Sequence, residues 1–185
     1  MSRHQSPLTI EYILLGLLIE QPMCGYDLFK EIISLRGISL VWHVKQSQLY
    51  AILEKIEKEG YLVSNIISNR PSPFRKEYIV TDKGREVFSD WVCKPVYHGR
   101  DMRQEFLARL YFARLMNDQI LTELLQNQKI TCQSWIDTLI HQKEQLNDSQ
   151  PYEKMVFDYR VSQVEAMIHW LDEYIKSDNK IGGSL

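Results

Sequence analysis

A short polar run at the start of a predicted helix carries the side chains best suited to contact another molecule. The segment KQSQLYAILEKIEKEGYL, residues 45–62, begins with Lys45, Gln46, Ser47 and Gln48. Such side chains donate hydrogen bonds to phosphate oxygens, and glutamine can pair bidentately with the edge of an adenine. A helix N-terminus adds partial positive charge. The run therefore favours contact with DNA, although a solvated helix end with only a capping role fits the same residues.

The rest of this segment predicts a helix seated on a hydrophobic core. Gly60 is a suitable C-terminal stop, and Tyr50 on the flank can offer its hydroxyl to a phosphate while its ring packs on the scaffold. The far end of the helix contains several glutamates, which DNA phosphates would repel. Only the first turns of the helix are therefore suited to contact with a duplex. An apolar stripe with spacings of three and four faces the core. It consists of Leu49, Ile52, Leu53 and Ile56.

The neighbouring elements predict a winged helix-turn-helix. Residues 8–20 form an apolar helix, and the segment 23–35 contains a second helix that starts near Gly25 and has four apolar side chains facing inward. After Gly60, two strands flank the segment RPSPF, and Thr81 caps a further helix. Basic side chains beside the hairpin tip can follow a phosphate backbone or enter the minor groove. The inward residues are Leu28, Phe29, Ile32 and Ile33; the basic wing residues are Arg70, Arg75 and Lys76.

The second half of the chain is predicted to be helical, and its last helix has a heptad seam. The seam predicts dimerisation, although packing within one chain fits it as well. The fold class expected is mainly α: an N-terminal winged helix-turn-helix domain and a C-terminal coiled-coil-like helical domain. The predicted limits are 1–93 for the DNA-binding domain, 94–99 for a linker, 100–178 for the dimerisation domain and 179–185 for a flexible tail. The seam consists of Phe157, Val161, Val164, Ile168, Leu171 and Ile175.

Composition bounds the function further. The chain has 185 residues, a net charge of −2 and three cysteines. Up to Gly99 there are 12 basic and 11 acidic residues, so the net charge of this part of the chain does not indicate a nucleic-acid partner. The histidines are scattered, no catalytic set or metal-ligand spacing is present, and no glycine-rich phosphate loop occurs. We therefore expect a cytoplasmic protein that is not an enzyme and carries no metal or cofactor.

Aromatic residues near the junction of the two halves can sandwich a flat ligand. Packing between domains explains the same residues equally well, so an effector pocket is one of two interpretations. The candidates are Trp91, Tyr97, Phe106, Tyr111 and Trp170.

Three segments resemble the PadR family of bacterial transcriptional regulators: GYDLFKEI at 25–32, WHVKQSQLYAILEKIEKEGYL at 42–62 and RKEYIVTDKGREVFSDW at 75–91. QEFLARLYFARL at 104–115 and MIHWLDEYI at 167–175 resemble the longer C-terminal domain of its phenolic-acid-repressor and virulence-activator types. The resemblance implies a homodimeric repressor, sometimes relieved by a small aromatic ligand, that binds a pseudo-palindromic operator in double-stranded DNA. It assigns residues 45–48 and Tyr50 to the recognition helix, Arg75 and Lys76 to the wing, and Tyr26 to a phosphate.

One departure from that pattern is the hairpin tip NRPSPF, which has two prolines and no glycine. It leaves the role of Arg70 open.

The alternative function is a winged-helix module that binds a protein through the same polar helix end and has no affinity for DNA.

Overall fold

A computed structural model describes residues 9–34, 38–67 and 75–181, with side chains up to Lys176. It shows the predicted fold class: mostly helices, with one small sheet in the N-terminal half. No helix among the described residues is long and apolar enough to cross a membrane. The elements are α1 (Thr9–Glu20), β1 (Met23–Cys24), α2 (Gly25–Ser34), α3 (Gln46–Lys58), β2 (Leu62–Ile67), β3 (Arg75–Val80), α4 (Asp82–Val92), α5 (Glu105–Met116), α6 (Asp118–Glu144) and α7 (Pro151–Ile181).

The chain divides into two compact units. The first contains the chain up to Val92 together with Arg103–Phe112, and the second contains Cys93–Met102 and the chain from Ala113 onward. The predicted domain limits placed residues 103–112 in the helical domain, whereas most of α5 packs with the first unit. A short 3-10 turn at Gly99–Arg103 precedes α5.

Helix α1 lies at the centre of the first unit, because it is apolar around most of its circumference. Its buried side chains include Ile13, Leu14 and Leu17. Glu11 is the exception: it is only 1% exposed, and one of its carboxylate oxygens lies 2.6 Å from Nζ of Lys55 on α3. That hydrogen bond is the main reason why the pKa of Lys55 is raised. The core of this unit therefore includes an ion pair that joins α1 to α3.

The three strands form an antiparallel sheet in the order β1-β3-β2. The hairpin pairs Leu62 with Val80 at its base and Ile67 with Arg75 towards its tip. Strand β1 was not predicted, since its two residues pair only with distant residues of β3. The prediction that Ile33 faces inward was wrong. Its side chain is 59% exposed, because it stands about 100° around the helix from buried Ile32. The hairpin tip, with Arg70, lies outside the described residues.

The end of α3 is tied to the hairpin and to α4. Gly60 has a φ of +80°; its N–H donates to the carbonyl of Glu57, and the Tyr61 N–H donates to the carbonyl of Ile56. This is a Schellman motif, which needs a residue in the left-handed region. Thr81 caps α4 as predicted, accepting from the N–H of Gly84 at 3.1 Å, and its hydroxyl donates to the Gly60 carbonyl at 2.8 Å.

The second unit is built on an antiparallel pair of long helices, α6 and α7. Ion pairs join Lys129 to Asp172 and Lys143 to Asp158 across the pair. Helix α7 continues to Ile181, so the first residues of the predicted flexible tail are helical. Within the predicted seam of α7, Val164 and Leu171 are buried inside this unit and the other four residues are half-buried. At least part of the seam therefore packs within one chain.

The Glu11–Lys55 pair can be tested by Lys55→Met, which keeps a long side chain but removes its charge. We expect the free energy of unfolding to fall by about 2 kcal/mol, less than for a fully buried pair, because the Lys55 side chain retains contact with water. Urea unfolding followed by circular dichroism measures the change. Lys58→Met, at an exposed position on the same helix, is the control. An equal loss of unfolding free energy in both variants would contradict a specific contribution of the ion pair.

Candidate nucleic-acid interface

The first turn of α3 presents the predicted polar side chains to solvent. Lys45 is the N-cap residue, and Lys45, Gln46, Ser47 and Gln48 are all exposed. The side-chain oxygen of Gln48 accepts from the N–H of Lys45 at 3.1 Å. This is half of a capping box, since the lysine ammonium has no acceptor with which to complete it. Gln48 therefore caps the helix with its oxygen, and that bond does not use its NH₂ group, which can donate to a base edge.

Tyr50 lies against the start of α2. A Cβ at Gly25 would lie 2.6 Å from Cε1 of Tyr50, so the ring can sit there only because residue 25 is glycine. The same ring is still 43% exposed. Its position brings the N-terminus of α2 beside the first turns of α3. Two helix ends, each with partial positive charge and N–H groups without helical partners, thus lie next to each other. An anion such as a phosphate suits this arrangement.

The close approach of Tyr50 to Gly25 was not predicted from the sequence. Glycine is among the residues favoured at helix N-termini, so the sequence carried no signal for this contact. The next residue, Tyr26, is exposed, and Nζ of Lys30 lies 4.5 Å from the centre of its ring. Lys30 adds a cation, not predicted from the sequence, near the proposed phosphate contact of Tyr26.

The wing residues Arg75 and Lys76 open strand β3 and are both exposed. Nζ of Lys76 lies 3.6 Å from a carboxylate oxygen of Glu57 on α3. The other carboxylate oxygen of Glu57 accepts a hydrogen bond from the Ser64 hydroxyl of β2. Glu57 therefore links the recognition helix to both strands of the wing. A phosphate approaching Lys76 would compete with this carboxylate.

The glutamates at the far end of α3 are partly compensated. Glu57 pairs with Lys76, and Glu59 lies 3.9 Å from Nζ of Lys55. Lys83 of α4 donates to the carbonyl of Glu59 at 2.7 Å, where the negative end of the helix dipole attracts a cation. The protein itself thus offsets part of the negative charge at this end of α3, while the opposite end keeps its exposed donors.

The five aromatic candidates for an effector pocket are divided between the two units. Trp91, Phe106 and Tyr111 belong to the first unit, and Tyr97 and Trp170 belong to the second. Phe106 is fully buried, and Tyr97 is exposed. Burial raises the pKa of half-buried Tyr111, with the carboxylates of α1 and α2 adding to the shift. The pocket stays a prediction.

Trp91 makes a ring stack, a hydrogen bond and a cation–π contact within its own unit. Its ring stacks on Tyr12 with centroids 4.7 Å apart, and its N–H donates to Glu105 at 3.1 Å. The guanidinium of Arg109 lies 5.2 Å from the centre of the Trp91 ring and pairs with the same glutamate. Trp91 is therefore a core residue of the first unit.

The cysteines and metal ligands give no sign of other chemistry. Burial raises the pKa of both the Cys24 and Cys132 thiols, which reduces their thiolate fraction. Within the described ranges, no group of three histidine, cysteine or acidic side chains is placed to hold a metal ion. The exposed helix end and the wing stay the candidate site.

Comparison with known families assigns both halves of the chain. Residues 14–90 match the model described as the transcriptional regulator PadR-like family. The matched N-terminal part of the chain, residues 14–90, belongs to this family. Residues 102–177 match a second model, the virulence activator alpha C-terminal domain. The PadR-like match contains α2, α3 and the hairpin, which are the elements that form the candidate interface.

Individual relatives are distant. The chain is 28% identical over 122 residues to the negative transcriptional regulator PadR of Bacillus subtilis, a match that covers 64% of this chain and 64% of that regulator, somewhat less than two thirds of its length. The crystal structure of Bacillus subtilis PadR in complex with operator DNA is similar with a TM-score of 0.47 and 21% identity, covering 92% of this chain and 99% of that one. The crystal structure of Bacillus subtilis PadR in complex with p-coumaric acid is similar to this chain with a TM-score of 0.41 and 22% identity, covering 92% of this chain and 96% of that one.

The capping role of Gln48 predicts a loss of stability on Gln48→Ala. Because the variant leaves the Lys45 N–H without its partner, we expect the free energy of unfolding to fall by about 0.5–1 kcal/mol. Chemical denaturation gives the value. Gln46→Ala, two residues earlier and equally exposed, serves as the control and should be close to wild type. If Gln48→Ala is no less stable than Gln46→Ala, the cap contributes nothing in solution.

Proposed function

We propose that this PadR-family chain is a cytoplasmic, sequence-specific DNA-binding regulator that represses transcription as a homodimer and responds to a small aromatic effector. One observation carries the DNA-binding part: the Gly25–Tyr50 contact places two helix N-termini side by side, beside the exposed donors of Lys45–Gln48. Recognition helices of helix-turn-helix proteins contact base edges with their N-terminal residues. The partial charges of the two helix ends favour the flanking phosphates.

The roles of the individual residues follow from their surroundings. Gln46, Ser47 and the NH₂ group of Gln48 are suited to base edges, and Lys45 is suited to a phosphate or a guanine. Tyr26 and Tyr50 are suited to phosphates through their hydroxyl groups, since both are exposed beside the paired helix ends. Arg75 and Lys76, with Arg70 nearby in sequence, are assigned to the backbone next to the wing.

Dimerisation is supported by apolar side chains that α7 leaves in solvent. Tyr152, Met155 and Tyr159 are all more than 60% exposed and lie on successive turns of this helix. They stand beside the predicted seam, part of which is buried within the chain. We assign the contact with a second copy to this exposed row together with the half-buried members of the seam: Phe157, Val161, Ile168 and Ile175.

The effector part of the proposal rests on the family and on the composition of the chain. Of the five aromatic candidates, Tyr97, Tyr111 and Trp170 keep some exposure, whereas Trp91 and Phe106 are buried in the first unit. An effector would act by binding one arrangement of the dimer more tightly than another. The use of any of these rings by a planar aromatic ligand stays a prediction from the sequence.

DNA binding can be divided into phosphate and base contributions by two variants. Lys76→Ala should weaken binding to all duplexes about equally. Because a homodimer loses two phosphate contacts, the slope of log affinity against log salt should become less steep by about 2, starting from about −5 to −7. Gln48→Ala should cost about 1–3 kcal/mol on the cognate duplex alone. Fluorescence anisotropy with cognate and scrambled duplexes at several salt concentrations measures both effects.

The control for this pair is Lys58→Ala, which removes an exposed lysine from the opposite end of α3 and should leave affinity nearly unchanged. Equal losses on cognate and scrambled DNA from Gln48→Ala would remove its role as a base reader. Binding of a protein partner that is insensitive to salt, with no affinity for any duplex, would favour the protein-binding alternative.

The proposed dimer contact predicts that Tyr159→Glu yields a monomer that is still folded. The side chain is 64% exposed, so a charge there costs little within one chain but opposes burial against a second copy. Sedimentation velocity and circular dichroism measure assembly and folding. Glu165→Gln, an exposed change on the same helix, is the control. A wild-type protein that stays monomeric at micromolar concentration would contradict the proposal.

A further inference from the structure

One carboxylate of α3 contacts both strands of the wing. Glu57 lies in the last turn of α3, and its side chain is 27% exposed. One of its oxygens lies 3.6 Å from Nζ of Lys76 on β3, and the other accepts a hydrogen bond from the Ser64 hydroxyl on β2. Because the two oxygens have partners on different strands, the direction of this carboxylate is fixed from two sides.

The strand register places Lys76 and Ser64 on the same face of the hairpin. Ser64 pairs with Tyr78, which is two residues from Lys76 along β3. Alternate residues of a strand lie on one face of the sheet, so the side chains of Lys76, Tyr78 and Ser64 share the face that Glu57 contacts. Arg75, the neighbour of Lys76 in the chain, belongs to the opposite face. The two basic residues that open β3 therefore have different surroundings.

The position of Glu57 lowers the gain that Lys76 can obtain from a phosphate. Lys76 is exposed, so a phosphate can reach it, but its ammonium group already lies beside a carboxylate. Binding therefore exchanges one anion for another, which gains less free energy than the capture of a solvated lysine. The exchange also leaves the Glu57 carboxylate close to the phosphate, where the two negative charges repel each other.

We propose that Glu57 limits the affinity of the chain for DNA, because it holds Lys76 in an ion pair that has to open when Lys76 binds a phosphate. The inference rests on the proposed function, since it concerns a contact between the wing and the backbone of a duplex. Phosphate contacts carry no sequence information, so the restraint acts equally on cognate and unrelated duplexes. Removal of the Glu57 charge should therefore strengthen binding to both.

The test compares the wild type with Glu57→Gln, which removes the charge but keeps an oxygen that can accept from Ser64. Glu54→Gln, an exposed change three residues earlier on α3, is the matched control for the loss of one negative charge. The probes are a duplex selected by the wild-type protein from a random pool and a scrambled duplex of the same composition. Fluorescence anisotropy at one salt concentration gives the affinities, and circular dichroism gives the folded fraction of each variant.

We expect Glu57→Gln to bind both duplexes about threefold to tenfold more tightly than the wild type. An exposed ion pair changes an equilibrium constant by about 1.5-fold to fivefold, and a dimer opens two such pairs. Glu54→Gln should gain less than about half as much. No gain for Glu57→Gln, or a gain that Glu54→Gln matches, would overturn the proposal. A gain confined to the cognate duplex would also overturn it, because the change would then act through base contacts.

Two double variants separate the ion pair from simple repulsion between Glu57 and DNA. Glu57→Gln is combined with Lys76→Ala and, as the control, with Arg75→Ala, which removes the neighbouring cation on the other face of β3. The gain from Glu57→Gln should persist beside Arg75→Ala and should be at least about twofold smaller beside Lys76→Ala. Equal gains in the two backgrounds would overturn the proposal, because the loss of repulsion alone does not require Lys76.

Glu57→Ala keeps the inference testable if Glu57→Gln does not fold, since alanine is the strongest helix former. It should also bind both duplexes more tightly than the wild type. If the wild type selects no duplex from the pool and no variant binds the scrambled one, the proposed function fails, and the role of Glu57 fails with it. A wild type that binds DNA, beside a folded Glu57 variant that binds no more tightly, contradicts this inference alone.

Discussion

The first unit depends on how α3 is seated on α1, and the ion pair between Glu11 and Lys55 is the most specific part of that seating. An apolar stripe alone allows a helix to rotate slightly or slip, since hydrophobic contact has no direction. A buried carboxylate that meets one ammonium group fixes both the rotation and the axial position of α3. Because the folded-state pKa of Lys55 is raised, the protonated ammonium contributes stability that is present below the ordinary lysine pKa and is lost as pH rises through the raised value.

The two ends of α3 are held by different contacts. Its C-terminal end is held by the Gly60 turn, by Lys83 on the Glu59 carbonyl and by Glu57, which reaches both wing strands. Its N-terminal end is held by the half capping box, by the Tyr50 ring on Gly25 and by buried Leu49. The polar contacts that hold α3 are therefore concentrated at its C-terminal end, and the polar side chains of its first turn stay exposed.

The parts of this fold that could be predicted from the sequence are those specified locally. The stripe of α3, the stop at Gly60, the cap at Thr81 and the hairpin strands all follow from periodicity or turn chemistry within a few residues. Strand β1 and the Gly25–Tyr50 contact could not be predicted, since each depends on residues distant in the chain. The heptad seam of α7 shows the same limit: its spacing predicts a helical partner but does not say whether that partner is α6 or another copy.

The seating of α3 also determines what kind of DNA affinity the chain can have. With a net charge of −2 and nearly balanced charges up to Gly99, the protein has little general attraction for a polyanion. Positive potential is concentrated at the paired helix ends and at Arg75 and Lys76, and Glu57 already competes for Lys76. Non-specific affinity, which grows with the number of phosphates neutralised, should therefore be low. A larger share of the binding free energy must then come from correctly placed base contacts, so the position of α3 matters more here than in a strongly basic protein.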